Sequence, residues 1–350
     1  MFVVVATTLA LATSLLVYLS SKKYWNIIAQ KIIIDIKFNL LGAKENLRDI
    51  LQAKYNKTDL PCKSGMIAIV TGGSRGIGLA VVKMLLECNM TVIIGCRRIE
   101  AGEKAVKNIR ELGVIKGKAR IYKLDNSSLK SVREFVDKVK QEYEKINILI
   151  NNAGVMFTPY METSEGFEYQ WGVNYLSHFL LTALLMPLLC NDAKKISRVI
   201  NVSSCGHLLG NINFDDINYR QTFMSNAAYA QSKLAQVIFT KILQDIADRK
   251  NLPIRSYAVH PGIVNTDLFE NSLLYKFKWF MNIFLKTPEQ GAVTIVYTSI
   301  SDKIENLGGS YFSNCIKSPV HPLADDKLIR EKLLKLSLQQ VELVDFLQYL

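Results

Sequence analysis

The chain has 350 residues, of which 21% are charged and 49% hydrophobic, and it carries a formal net charge of +12. This composition indicates a globular protein with a membrane-associated part and argues against nucleic-acid binding, because no zinc-finger spacing or basic patch interleaved with aromatic residues accompanies the charge. The charge favours an anionic membrane surface and a phosphate-bearing ligand. Six cysteines without a Cys-x-x-Cys pair predict reduced thiols, and four scattered histidines predict no metal site.

The N-terminal 21 residues carry no charged side chain, and residues 2–19 are almost wholly apolar. At a helical rise of ~1.5 Å per residue this stretch can cross a hydrocarbon core of ~30 Å, so it predicts a transmembrane anchor at residues 1–21. A cleaved signal peptide is the alternative, but the basic n-region and a clear cleavage site are missing. Lys22 and Lys23 follow the apolar stretch directly, which predicts that the rest of the chain faces the cytosol. The endoplasmic reticulum or a lipid droplet is the expected membrane.

Residues 22–64 are predicted to connect the anchor to the folded domain. Their isoleucines and lysines fit two alternatives, a helix on the membrane surface and a helix packed on the domain. Pro61 marks the boundary, because proline ends helical structure. The domain is expected at residues 65–322, and residues 323–350 are expected to form a helical segment that pairs subunits or caps a substrate.

A phosphate-binding loop is predicted near residue 70. The apolar, β-branched residues 66–70 precede a glycine-rich turn and an amphipathic stretch, the order of a strand, a phosphate loop and a helix. Glycines in such a turn let the backbone approach a pyrophosphate at the helix N-terminus. No Gly-Lys-Ser/Thr follows, which excludes a Walker-type loop. The residues expected at this ligand are Thr71, Gly72, Ser74, Arg75, Gly76, Ile77 and Gly78.

Four further apolar runs, at residues 91–95, 121–124, 146–150 and 199–202, predict buried strands. Together they indicate an α/β fold, a single Rossmann-type doubly wound parallel sheet with helices on both faces, preceded by the N-terminal transmembrane helix. Cys96 stands where an acidic residue would accept hydrogen bonds from an adenosine ribose, and Arg97 and Arg75 suit a 2′-phosphate. The sequence therefore predicts NADP(H) as the preferred cofactor and NAD(H) as the alternative.

Tyr229 and Lys233 are four residues apart in a stretch with amphipathic, helical spacing. This spacing places both side chains on one helix face, where a fixed ammonium would favour the phenolate and lower the phenol pKa. The pair predicts an acid-base catalyst, although the spacing alone also fits two solvated side chains.

Five motifs in order resemble the short-chain dehydrogenase/reductase family over residues 66–315. They are the loop at residues 71–78, Asn151-Asn152-Ala153-Gly154, Asn174, Ser204 with Tyr229 and Lys233, and His260-Pro261-Gly262. The resemblance implies that Tyr229 exchanges a proton with an alcohol or carbonyl oxygen while a hydride moves to or from the nicotinamide. It implies that Ser204 positions that oxygen, that Lys233 also bonds the nicotinamide ribose, and that Asn174 binds a water linking Lys233 to solvent.

The same resemblance implies further cofactor contacts after the later strands, at Arg97, Asp125, Asn152, Ala153, Gly154, Pro261, Gly262, Val264 and Thr266. It also implies a homodimer, since family members often pair through the helices that carry Asn174 and Tyr229. A catalytically idle nucleotide-binding membrane scaffold is the alternative from a different class, but it would be expected to lack part of the Ser204, Tyr229 and Lys233 set.

The substrate is expected to be a lipophilic small molecule. Residues 272–286 occupy the family's lid position and mix large apolar residues with Lys276, Lys278 and Lys286, which fits contact with a membrane surface or a lid buried on its own domain. Residues 151–156, 229–234, 261–268 and 286–291 resemble the X-linked dehydrogenase/reductase subgroup, which is associated with polyprenol oxidation and dolichal reduction. Cys96-Arg97-Arg98 resembles retinol dehydrogenases, so a retinoid or a steroid is the alternative substrate.

Overall fold

The computed structural model describes residues 2–192, 195–270 and 284–350, and within them the side chains of Trp25 and of residue 28 onward. The central element is an eight-stranded sheet with the spatial order β3-β2-β1-β4-β5-β6-β7-β8. Neighbouring strands are parallel from β3 to β7, and β8 is antiparallel to β7. The strands are β1 Ile67–Thr71, β2 Thr91–Cys96, β3 Lys118–Lys123, β4 Ile148–Asn151, β5 Ser197–Val202, β6 Ile254–His260, β7 Tyr311–Ser313 and β8 Ile316–Ser318.

Helices cover both faces of this sheet. One apolar cluster packs α4, α5 and α6 against one face, and a second packs α2 and α7 against the other. The chain reverses its strand order between β1 and β4, the topological switch point at which such sheets bind ligands. The predicted doubly wound parallel sheet is confirmed. The helices are α1 Phe2–Leu51, α2 Gly76–Glu87, α3 Ile99–Glu111, α4 Leu129–Glu142, α5 Tyr169–Cys190, α6 Ser225–Lys250, α7 Pro288–Ile300 and α8 Lys327–Gln340.

Helix α5 is the core helix that the sequence predicts after Asn174. Among the described side chains it alone is long and apolar enough to cross a membrane, but 89% of its apolar window is buried inside the protein. Burial between the sheet and neighbouring helices accounts for its apolar character. The side chains of the predicted anchor at residues 1–21 lie outside the described ones, so the anchor stays a prediction.

Helix α1 is one unbroken helix of 50 residues, and it continues through the predicted boundary at residue 22. It ends at Leu51, well before Pro61. Its second half packs on the domain, because Glu45 and Asp49 are buried and the Asp49 carboxylate accepts a hydrogen bond from the backbone N–H of Ile263. The second half of α1 is therefore a helix packed on the domain, one of the two alternatives for the connector. Nearer the N-terminus, Ile32 and Ile36 are more than half exposed.

The C-terminal segment lies across α5 and α6, away from the ligand-binding end of the sheet. Phe346 is buried with its ring 5.2 Å from that of Phe179 and 5.8 Å from that of Phe239. The Trp171 indole donates a hydrogen bond to Gln340 in the same contact. The expectation that this segment caps the substrate is wrong for the residues described, since none of 323–350 lines the main cavity.

Candidate active site

A cavity of about 980 Å³ opens at the carboxyl ends of β1, β2, β4, β5 and β6. Every predicted cofactor contact except Thr71 lines it, as do Ser204, Tyr229 and Lys233. These predicted residues come from seven separate stretches of the sequence and thus meet in one place. The polar compartment is the part of the lining formed by the glycine loop and the other strand ends, and the apolar compartment is the part formed by α1 and residues 155–158.

The glycine loop has the close packing that a dinucleotide site requires. Gly72 has a φ of +67°, in the left-handed region that favours glycine. A Cβ on Gly78 would lie 2.3 Å from the Gly72 carbonyl oxygen and 2.6 Å from Asn152 Nδ2, so only glycine fits there. The backbone consequently turns tightly into the N-terminus of α2, where free N–H groups attract a phosphate.

Thr71 differs from its prediction as a cofactor contact. It is fully buried behind the loop, where its hydroxyl oxygen accepts hydrogen bonds from the backbone N–H groups of Asn152 and Ala153, both at 2.9 Å. The His178 imidazole lies 2.9 Å from the same oxygen. Thr71 thereby joins the β1 and β4 loops from behind, because a buried hydroxyl between two backbone donors has no room for a ligand.

Basic side chains surround the far end of the polar compartment. Arg75, Arg97 and Arg98 line it, together with Lys104 on α3, which the sequence analysis did not single out. The Arg75 guanidinium lies 3.4 Å from the Asp267 carboxylate. Cys96, in the position of the absent acid, donates its thiol to the Arg98 carbonyl oxygen. At the β2 exit the described lining residues Cys96, Arg97 and Arg98 include no acid.

The loops after β3, β4 and β6 complete the polar compartment. The Asp125 carboxylate accepts hydrogen bonds from the backbone N–H and the hydroxyl of Ser127. Asn152 Nδ2 donates to the Thr71 carbonyl oxygen at 2.8 Å. The Thr266 hydroxyl caps the following turn by accepting from the backbone N–H of Leu268. Each of these loops is thus fixed by its own hydrogen bonds.

Tyr229, Lys233 and Ser204 meet beside the strand ends. Tyr229 and Lys233 lie one turn apart on α6, and Ser204 follows β5 as the N-terminal cap of a 3₁₀ turn, accepting from the backbone N–H of Gly206 at 3.1 Å. The Ser203 hydroxyl instead donates to the Lys233 carbonyl oxygen at 2.7 Å and is buried. Both serines line the cavity, but the Ser203 hydroxyl is bonded to the backbone of α6, whereas the Ser204 hydroxyl caps the turn that follows β5.

Burial has the largest effect on the pKa values of Tyr229 and Lys233. It raises the pKa of the Tyr229 phenol, a rise that a hydrogen bond with Ser204 opposes, and it lowers the pKa of the Lys233 ammonium to about 7. Lys233 Nζ lies 5.8 Å from the centre of the Tyr229 ring and donates to the Val202 carbonyl oxygen and to Gln236. Burial thus has a larger effect on the Tyr229 pKa than the Lys233 ammonium, which the sequence analysis expects to lower it.

Asn174 lies outside the cavity, in a π-helical turn of α5 at Gly172–Leu176. Its side chain bonds the backbone of Val155 and the Ser232 hydroxyl. The Gln236 carboxamide connects Asn174 to Lys233, because Nε2 donates to the Asn174 carbonyl oxygen at 2.7 Å and Oε1 accepts from Lys233 Nζ at 3.0 Å. Gln236 therefore connects Lys233 directly to Asn174, and the water that is expected to link Lys233 to solvent stays a prediction.

The sequence analysis missed two aromatic residues beside Tyr229. The Phe157 ring packs edge-on against the Tyr229 ring at 5.5 Å, and the Phe38 ring of α1 packs edge-on against Phe157 at 5.7 Å. Phe157 could have been predicted at the site, because it follows the Asn-Asn-Ala-Gly motif by only three residues. Phe38 could not, because it precedes the family motifs and reaches the site only through the docking of α1.

The predicted lid at residues 272–286 lies mostly outside the described residues, including Lys276 and Lys278. Lys286 is described, and it does not face a membrane. Its side chain is only 9% exposed and its ammonium lies 3.0 Å from the Asp49 carboxylate and 2.6 Å from Asn314 Oδ1. The interfacial role expected of Lys286 is wrong, because a buried ion pair already neutralises its charge.

Comparison with known proteins assigns this site to a family. The family model described as short chain dehydrogenase matches residues 66–274. The chain belongs to the short-chain dehydrogenase/reductase family. It is similar to polyprenol dehydrogenase of Danio rerio, with 39% identity over 86% of this chain and 94% of that protein, and to retinol dehydrogenase 11 of Homo sapiens, with 36% identity over 86% and 93%. An uncharacterized Mycobacterium paratuberculosis protein has a related structure, with a TM-score of 0.66 and 32% identity over 81% of this chain and 96% of that one.

This dehydrogenase is accordingly an NAD(P)-dependent oxidoreductase that acts on alcohols. The residues present fit a dinucleotide, because the Gly72–Gly78 cradle excludes any Cβ and opens on a helix N-terminus lined with cations. When bound, the nicotinamide accepts or donates the hydride.

Proposed function

We propose that this enzyme is a membrane-anchored oxidoreductase that uses NADP(H) to interconvert a lipophilic alcohol and its aldehyde, with a polyprenol or dolichal as substrate. The observation that carries this proposal is the lining of the cavity, which brings Tyr229 together with the cations Arg75 and Arg97 and with the mostly apolar lining of α1. The name of the Danio rerio relative supports a polyprenoid, and those of the retinol dehydrogenases support a retinoid as the second candidate. A steroid is the third.

The proposed roles follow from the positions of the side chains. In reduction the protonated Tyr229 phenol gives its proton to the developing alkoxide, and in oxidation it removes the proton of the alcohol. Ser204, at the same wall, donates its hydroxyl hydrogen to the substrate oxygen and stabilises its charge. Lys233 holds positive charge beneath the phenol, and Asn174 and Gln236 fix its position. Arg97 and Arg75 bind the 2′-phosphate.

The test is an assay of purified full-length enzyme in detergent, with polyprenol, dolichal, retinal and a steroid panel, each with NADPH or NADH or their oxidised forms. We expect NADP(H) to give the higher kcat/KM, and Tyr229→Phe to lose at least ~10²-fold in turnover while still binding cofactor. Full activity of Tyr229→Phe would exclude the mechanism, and equal efficiency with NAD(H) would exclude the cofactor preference. Arg97→Ser should lower that preference, and Arg249→Ser, an exposed arginine on α6, is the matched control.

The proposed location is the endoplasmic reticulum or a lipid droplet, with the catalytic domain in the cytosol. The apolar residues 2–19 and the lysines that follow them support it. Resistance to alkaline extraction, together with protease access to the domain in sealed microsomes, is the expected result. A domain protected inside the vesicle would contradict this orientation.

A further inference from the structure

Helix α1 forms part of the wall of the active-site cavity. The lining residues fall within about three turns of the helix, from Phe38 to Ile50. Some of them are apolar and exposed, since Leu47 and Ile50 are each 56% exposed. The lining residues of this wall include Phe38, Leu41, Gly42, Asn46, Leu47 and Ile50.

Polar contacts on both sides of this wall hold α1 in place. Asp35 accepts a hydrogen bond from Asn226, which lies on α6 one turn before Tyr229. At the other end the Asp49 carboxylate bonds Ile263, Lys286 and Asn314, all beyond residue 260. These contacts lie 14 residues apart along α1, or ~21 Å at a rise of ~1.5 Å per residue. The wall is therefore a fixed part of the domain.

Aromatic packing joins this wall to the reacting group. Phe38 contacts Phe157, and Phe157 contacts Tyr229, both edge-on. Phe157 has a φ of +55°, a conformation that a bulky residue rarely adopts, and its backbone N–H donates to Gln170 Oε1. Strain of this kind is retained where the surroundings impose it, often at a ligand site.

Gly42 opens a notch in the same wall. Glycine inside a helix is less stable than alanine, and among the described residues no neighbour requires glycine here, since a Cβ would meet nothing within 4 Å. The space above Gly42 belongs to the cavity. Gly42 therefore lowers the stability of α1 with no packing contact to explain it, and the absence of a side chain leaves room for a ligand.

We propose that α1 forms a binding subsite for the hydrocarbon chain of the substrate, with the chain lying along Phe38, Gly42 and Leu47 while its alcohol or aldehyde group meets Tyr229. This inference rests on the proposed function, because it requires a lipophilic substrate. The apolar side chains of α1 would remove the hydrocarbon chain from water, which favours binding. Since α1 runs unbroken to Phe2, the subsite begins on the helix that carries the proposed anchor.

The test compares Gly42→Phe with Lys44→Phe in the full-length enzyme. Both add the same ring to α1, but Lys44 is exposed and does not line the cavity. We expect Gly42→Phe to lower kcat/KM for a long-chain isoprenoid aldehyde by about tenfold or more, and to change that for a five-carbon prenyl aldehyde less than twofold. Lys44→Phe should change neither. Unaltered NADPH binding would show that Gly42→Phe is folded.

The inference is overturned if Gly42→Phe leaves kcat/KM for the long-chain aldehyde unchanged. It is also overturned if Gly42→Phe lowers kcat/KM for both aldehydes by the same factor. If the wild-type enzyme shows no activity on any lipophilic alcohol or aldehyde, the proposed function is wrong, and the proposed subsite is wrong with it. The two failures are thus distinguishable, because only the second affects the unmodified protein.

Discussion

Gln236 is the residue whose importance is least visible in the sequence. It is buried, and its carboxamide accepts from the Lys233 ammonium and donates to the Asn174 carbonyl oxygen. An acceptor favours the charged form of an amine, whereas burial favours the neutral form and lowers the pKa of Lys233 to about 7. Gln236 therefore opposes the effect of burial on Lys233.

We predict opposite pH shifts for two substitutions of Gln236. Removing the acceptor with Gln236→Leu should lower the Lys233 pKa by about one unit, and placing a carboxylate there with Gln236→Glu should raise it. Since the ammonium loses its proton as pH rises through this pKa, the basic limb of kcat/KM for NADPH should move to lower pH in the first variant and to higher pH in the second. Shifts of the same sign in both variants would show that Gln236 is only structural.

The residues that could be predicted from sequence are those in local motifs. Ser204, Tyr229, Lys233 and the glycine loop stand at fixed spacings, and the cavity contains all of them. Thr71 was misjudged because the motif does not tell whether a hydroxyl faces a ligand or the next loop. Gln236 and Phe38 could not be found in this way, because their roles depend on contacts that are distant in sequence. Gln236 contacts Asn174, 62 positions earlier, and Phe38 contacts Phe157, 119 positions later.

At the scale of elements, the first five strands were predictable from their apolar runs, although β3 contains three basic residues and is buried only at Tyr122. Their observed bounds differ by a few residues, as for β3, which begins at Lys118 where the prediction began at residue 121. β6 contains Arg255 and Ser256, and β7 and β8 have three residues each, so no apolar run identified them. The docking of α1 was equally hidden, since it depends on long-range polar contacts.

The Asp49–Lys286 ion pair joins α1 to the last residue of the predicted lid. Both side chains are buried, at 5% and 9% exposure, and Asp49 also bonds the backbone beside Pro261-Gly262. Removing one partner of such a pair leaves the other charge buried without compensation, at a cost of about 3 to 5 kcal/mol.

We predict that Asp49→Asn lowers the free energy of unfolding by about 3 kcal/mol, measured by urea denaturation in detergent. The double variant Asp49→Asn, Lys286→Met should recover part of the loss, because it removes the uncompensated ammonium. Glu134→Gln, which breaks the exposed pair with Lys130, is the control and should leave stability unchanged. A loss in Asp49→Asn no larger than in this control would contradict the proposed anchoring of α1.

At the scale of the whole molecule, the C-terminal segment occupies a surface that the family resemblance assigned to pairing. Leu333, Val341 and Phe346 are buried against the helices that carry Asn174 and Tyr229. The Tyr175 hydroxyl also bonds the Ser337 hydroxyl beneath α8. A homodimer through this surface would have to displace the protein's own C-terminus, so a second copy would pair elsewhere.

We predict that Phe346→Asp detaches this segment and exposes an apolar surface around Phe179 and Phe239. The variant should be less stable and should self-associate, as measured by light scattering of the detergent-solubilised protein. Val344→Asp, two residues earlier and 94% exposed, is the matched control and should behave as wild type. A monomeric, fully stable Phe346→Asp would show that the segment does not protect these helices.

The length of the unbroken helix α1 also limits the distance between the membrane and the active site. If residues 1–21 span the bilayer, Phe38 lies 17 residues beyond the span, so the reactive end of the cavity stands no more than ~26 Å from the membrane along the helix axis. A compact lipid would have to leave the bilayer completely to reach Tyr229. A polyprenyl chain is long enough to keep its tail among the lipids while its head group reacts, so it would avoid much of the cost of entering water. The length of one helix thus gives a physical reason to prefer long substrates over short ones.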